Sequence, residues 1–150
     1  AQYYNSSMKK FRCYQNDKWQ DCLQTAFSEY TIASGGGPWT QPSGDHELPG
    51  ENRTWIDLGN ANQARLLVNL SAAGNQGASC RLQYSLTEDN PTWHDLTDSG
   101  NTAIDRTGAV KGDWLQIKTE AKGEVLVRVY CSGGNNAATI EYSNIRTQIR

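Results

Sequence analysis

The sequence predicts an all-β protein: an antiparallel β-sandwich of jelly-roll type carrying a small N-terminal β-hairpin module. Three observations lead there. Apolar and polar residues alternate with period two in several stretches, as in Val125, Val127, Val129 and Cys131 against Leu126, Arg128 and Tyr130. Turn chemistry recurs between such stretches, at Ala73-Gly74-Asn75, Asp89-Asn90-Pro91, Ser99-Gly100-Asn101, Ala121-Lys122-Gly123 and Gly133-Gly134-Asn135-Asn136. No amphipathic helical pattern runs beyond about two turns. The length, 150 residues, suits one domain with an appendage.

Residues 1–23 read as the hairpin module, with an extended aromatic start at Gln2-Tyr3-Tyr4 and a turn at Asn5-Ser6-Ser7. Two short strands follow, Lys10 to Tyr14 and Trp19 to Leu23, around Gln15 to Lys18. Residues 24–53 read as one strand around Phe27, Tyr30 and Ile32, then a Gly/Pro-rich loop or linker (Gly35-Gly36-Gly37-Pro38, Pro42-Ser43-Gly44, Pro49-Gly50).

Residues 54–150 read as the sandwich. Thr54 to Leu58 is a short strand. Arg65 to Leu70 is mostly apolar, as in a strand covered on both faces. Cys80, Leu82, Tyr84 and Leu86 face inward, with Arg81, Gln83 and Ser85 outward. Trp93 to Leu96 and Trp114 to Lys118 are short strands. The last strand sets Ile145, Thr147 and Ile149 against Arg146, Gln148 and Arg150.

Cys13, Cys22, Cys80 and Cys131 allow three pairings. The spacing favours Cys13–Cys22 and Cys80–Cys131. A hairpin loop at Asp17-Lys18 sets Cys13 opposite Cys22, and a loop at Asn16-Asp17 shifts that register. Two disulfides imply an oxidising, virion or extracellular location; four buried free thiols in a cytosolic protein are the alternative. The chain begins at Ala1, which leads us to expect that an initiator Met, a leader or a longer N-terminal part has been removed.

The formal charge of -2, with no basic run, argues against nucleic acid and anionic membranes as partners. No apolar stretch approaches the ~20 residues of a membrane-spanning helix. The two imidazoles, His46 and His94, have no close Cys partner, and no G-x-S-x-G occurs, so no nucleophile–base pair, zinc site or cofactor is expected. Glu88, Asp89, Asp95, Asp98 and Asp105 cluster around turns. Turn chemistry and solubility explain them; a structural Ca²⁺ site or a glycosidase pair are the rivals. The sequons at Asn5, Asn52 and Asn69 match a pattern common by chance.

The aromatics carry the stronger signal, with 5 Trp and 7 Tyr beside 2 Phe. Tyr and Trp pair an apolar body with a polar tip, which suits interfaces and sugar-stacking platforms. Tyr3, Tyr4, Phe11, Tyr14 and Trp19 sit on a unit too small to bury them all and are expected at an assembly interface. Trp39, in the Gly/Pro-rich stretch, is the expected exposed ligand contact. Trp55, Trp93 and Trp114, at strand ends, are expected in the core, with Trp93 the second candidate ligand contact after Trp39.

Two blocks, about 100 residues together, resemble bacteriophage tail-fibre and related virion or bacterial surface proteins. Tyr3-Tyr4-Asn5-Ser6 and Phe11 to Cys22 are similar to an aromatic pair and polar turn preceding a hairpin of the type F-R-x-Y-x-N-G-x-W-x-D, with Asp17 at the usual Gly. Leu82-Gln83-Tyr84-Ser85 and Thr92-Trp93-His94-Asp95-Leu96 are similar to a Q-Y-S … T-W-x-D-L pattern of phage β-sandwich domains. The resemblance implies a non-enzymatic structural protein that forms a homo-oligomer or filament with its own copies and other virion proteins. The alternative expectation is a module that binds a cell-surface glycan or receptor through exposed aromatics.

Overall fold

The computed structural model describes residues 27–41, 44–72, 78–98, 100–104, 107–133 and 140–150, and of the first 21 residues the backbone of 2–5, 10–15 and 18–21 with the Tyr14 side chain. All regular structure among the described residues is strand, and every pairing is antiparallel.

Strands β1 (Gln2–Asn5), β2 (Lys10–Gln15) and β3 (Lys18–Asp21) form a sheet in that order, so the aromatic start adds a third strand to the expected hairpin. Gln15 lies opposite Lys18 and Cys13 opposite Gln20. Of the two registers the sequence allows, this is the shifted one, with Asn16-Asp17 between the paired residues. The Cys13–Cys22 pairing itself lies outside the described residues, as do the side chains of Tyr3, Tyr4, Phe11 and Trp19.

The remaining strands build a two-sheet sandwich. Sheet I has the order β10 (Thr102–Ile104), β8 (Ala78–Ser85), β13 (Glu124–Gly133), β5 (His46–Leu48), with β9 (His94–Asp95) on β8 and β6 (Thr54–Asp57) on β13. Sheet II has the order β11 (Gly108–Lys111), β7 (Gln63–Ala72), β14 (Ile140–Ile149), β4 (Ser28–Gln41), with β12 (Leu115–Gln116) on β7. Both sheets therefore have long central strands flanked by short segments or, at β4, an interrupted one. Short and interrupted edges resist pairing with stray chains.

The chain shuttles between the sheets, so neither can close without the other. Their shared core takes Leu82, Val125, Val127 and Val129 from sheet I, and Leu66, Val68, Leu70 and Ile145 from sheet II. The three valines of β13 are 0% exposed, each stabilising the fold by about 1.5–3 kcal/mol through burial. Inside this core Cys80 lies directly opposite Cys131, and the two form a disulfide. A disulfide fits an oxidising compartment.

Three expectations need correction. The stretch 35–53 is not a loose linker, because β4 runs through its first part and β5 pairs with Val129–Cys131 of β13. Gly35 and Gly36 adopt φ of 66° and 69°, which lets the strand bulge outward and resume at Trp39, opposite Tyr142. At Gly37 a Cβ would come within 3.1 Å of the Ser143 Cα and the Trp39 ring. Glycine here permits close backbone approach rather than flexibility.

Leu86 does not continue the buried phase of β8 but is 64% exposed, while Gln83 and Ser85 are buried. Ser85 Oγ donates to Thr87 O at 2.9 Å and accepts from Thr87 N–H, turning the chain before Leu86 can pair. Asn69 and Leu67 show that β7 is not uniformly apolar-faced: Leu67 is buried outside the core cluster, and Asn69 is exposed.

The disulfide closes a loop across a sequence separation of 51. Replacing Cys80 and Cys131 with Ala should lower the unfolding free energy by up to about 4 kcal/mol in urea titrations. An unchanged midpoint would show that the register is held without the bridge.

Candidate functional site

With Leu82, Tyr84, Val127 and Val129 turned inward, the alternation sends Arg81, Gln83, Arg128 and Tyr130 to the outer face of sheet I. They join in one lateral network. Arg53 grips Glu47 with both ends of its fork, at 2.8 and 3.1 Å. Arg128 lies 3.5 Å from the other side of the same carboxylate and donates to Gln83 Oε1 through Nε and Nη2, at 3.0 and 2.8 Å. Gln83 passes a hydrogen bond to Asp95 at 3.1 Å, and Arg81 ends the row 3.0 Å from Asp95.

Trp93 lies against this row. The Arg128 and Arg53 guanidiniums stand 4.2 and 4.9 Å from its ring centre, and Tyr130 carries Arg128 and Arg81 in the same way. The Glu47 hydrogen bond raises the pKa of Arg53 above its ordinary value. Burial lowers that of Arg128, with Glu47 opposing the shift. Each guanidinium in this network has a carboxylate within ion-pair distance, Arg53 and Arg128 sharing Glu47 and Arg81 facing Asp95.

The outer face of sheet II differs. Leu66, Val68, Ile145 and Ile149 point into the core, which turns Arg65, Leu67, Asn69, Arg146 and Gln148 outward. Between β11 and β14 lies a shallow groove of about 540 Å³ lined by Leu67, Asn69, Lys111, Asn144, Arg146 and Gln148. Asn144 Oδ1 and Arg146 Nε are shielded from solvent and have no hydrogen-bond partner among the described residues. Unpaired shielded polar atoms cost about 1–3 kcal/mol each in the free protein.

At one end of the groove Gln148 donates to Glu29 at 2.8 Å and accepts from Arg65 Nε at 2.7 Å. Glu29 also pairs with Arg146 at 3.1 Å. The Gln148 hydrogen bond, aided by Arg146, holds the Glu29 carboxyl below its ordinary pKa. Beyond Arg65 stands Trp114, with the Arg65 and Arg150 guanidiniums 4.3 and 4.2 Å from its ring centre. Phe27, 44% exposed, completes the platform, its ring 6.1 Å from that of Trp114.

The aromatic expectations therefore sort differently. Trp39 is half-buried on β4 rather than exposed in a loop, its ring 6.2 Å from Tyr142 and packed against the core. Trp93 lies outside the core cluster, beneath guanidiniums already held by Glu47. Trp55 is 39% exposed on the outer side of β6, and Tyr14 is 48% exposed. Phe27, Arg65, Trp114 and Arg150 did not emerge together from the sequence, because they are distant along the chain. The one local signal was the outward phase of Arg146, Gln148 and Arg150.

His94 pairs across β8 with Tyr84, the rings 5.7 Å apart, while Asp95 is taken up by Arg81 and Gln83. Glu88, Asp89 and Asp98 are exposed, and Asp105 lies outside the described residues. Among the described residues no group of three or more His, Cys, Asp or Glu side chains is placed to hold a metal ion. No protein-family model, curated protein or solved structure matches the chain.

Removing the Glu47 carboxylate leaves Arg53 and Arg128 half-buried without their counter-charge. Glu47→Ala should cost about 1–3 kcal/mol in chemical denaturation, well above a surface ion pair. A cost under about 0.5 kcal/mol would mean that the row contributes nothing to holding β5 on β13.

Proposed function

We propose that the chain is a non-enzymatic glycan-binding module, presented on a virion or a microbial surface, whose ligand lies along the outer face of sheet II. The observation that carries this reading is a groove lined by Asn69, Asn144 and Lys111 beside the Phe27–Trp114 aromatic platform. Sugars offer hydroxyls for Asn69, Asn144 and Lys111, and apolar C–H faces for Trp114 and Phe27. The outer face of sheet I makes a poorer site, since its carboxylates and Gln83 are already engaged by its arginines.

Isothermal titration against a panel of neutral and acidic oligosaccharides should find a ligand. Asn144→Ala and Lys111→Ala should each weaken it about fivefold or more, while Trp93→Ala, on the opposite face, should leave affinity unchanged. Loss of binding on Trp93→Ala alone would move the site to sheet I.

A second reading, self-assembly into a homo-oligomer or filament, is favoured by a separate three-stranded sheet that, among the described residues, pairs with no strand of the sandwich. Assembly and glycan binding are compatible, because they use different sheets. Deleting residues 1–23 should leave a folded sandwich with a smaller mass by light scattering than the full-length assembly. A truncated chain that assembles to the same copy number would remove the first sheet as the contact.

A further inference from the structure

Resting on the glycan-binding reading, we infer that the Trp114 end of sheet II is a carboxylate subsite, so that the ligand is an acidic sugar. The inference starts from a contrast among the arginines. Of those whose side chains the structure describes, Arg53, Arg81, Arg128 and Arg146 each pair with a carboxylate. Arg65 and Arg150 have no carboxylate partner among the described residues. Both are nevertheless held in place. Arg65 Nε donates to Gln148 Oε1, and Arg150 Nε donates to Gln63 Oε1, each at 2.7 Å. Both guanidiniums then stand over one indole, and Arg65 also lies 5.6 Å from the Phe27 ring centre.

Two like charges gathered at one ring repel. Burial, followed by the charge of Arg150, lowers the proton affinity of Arg65. Neutral glutamines fix the Nε positions without offsetting either charge, which leaves the Nη ends of two forks without an anion. A planar carboxylate accepts from such forks in bidentate fashion and relieves the repulsion. The aromatic floor formed by Trp114 and Phe27 calls for a ligand that also has a ring face to stack. A carboxylated sugar, whether a uronate or a sialate, supplies both features. Gln148 lines the groove and also holds Arg65, so a chain of such sugars can continue from the subsite towards Asn144 and Lys111.

The test is titration calorimetry on the full-length protein with four probes: an oligogalacturonate hexamer, its methyl ester, an oligosialate, and poly-glutamate as an acidic chain without sugar rings. Binding of either acidic glycan, with the ester at least about tenfold weaker than its acid, is the expected result. The acid arm that binds tells uronate from sialate. Arg65→Gln and Arg150→Gln should each weaken the acidic glycan about tenfold and leave the ester unchanged. Each variant removes a repulsion together with an Nε hydrogen bond and an indole contact, so the thermal midpoint of the free protein should move by only a few degrees. Equal affinity for acid and ester would overturn the carboxylate subsite while leaving a neutral-glycan module standing. Poly-glutamate binding as tightly as the glycans would reduce the cluster to a general anion patch and overturn it too. No binding of any glycan would overturn the glycan reading itself. A marked fall in the midpoint of either variant would make the cluster a structural latch.

Discussion

The structure depends on strand phase. A strand's side chains alternate with period two, so a one-residue slip in any central pair would exchange its core and surface sets. On β13 such a slip would drive Arg128 and Tyr130 into the core and bring Val127 and Val129 out. The Cys80–Cys131 bridge joins two directly opposed residues of β8 and β13 and thereby excludes that slip. In sheet II the fully buried Ile145 and Thr147 fix the phase of β14, with the Thr147 hydroxyl donating to Arg65 O at 3.0 Å. Once both phases are set, the two outer faces follow from which polar residues remain.

Those faces resolve the same problem in opposite ways. Each presents arginines beside aromatic rings. On sheet I, Glu47 and Asp95 supply the counter-charge, and Gln83 links the two pairs into one row. That arrangement ties β5, β13, β8 and β9 together from outside and leaves few donors for a ligand. On sheet II one carboxylate, Glu29, serves Arg146 and Gln148, while Arg65 and Arg150 are held by neutral amides. Polar groups that are oriented but not neutralised cost stability in the free protein and are recovered on binding. The asymmetry between the faces, rather than any single residue, singles out sheet II.

The sequence made the all-β class and the inward phases of β8, β13 and β14 readable, because each phase is a property of one strand. The Cys80–Cys131 pairing was readable for the same reason: both cysteines fall on apolar phases. Lateral neighbours were not. Trp114, just ahead of β12, meets Arg65, Gln148 and Glu29 only because β12, β7, β14 and β4 line up across a sheet, which no local pattern encodes. The Gly35 to Pro38 stretch misled because glycine and proline mark turns in most settings, whereas here they make a bulge inside a 14-residue edge strand. That misreading placed Trp39 in solvent. The short strands β10 and β11 have too few residues to show a period.

The central claim is that the outer face of sheet II is open to a ligand and that of sheet I is closed. Backbone amide shifts followed by NMR during titration with an acidic oligosaccharide test it most directly. The account predicts perturbations concentrated at Arg65, Leu67, Lys111, Asn144, Gln148 and Arg150, with Arg81, Gln83 and Arg128 unmoved. Shifts centred on Gln83, Trp93 and Arg128 instead would contradict it.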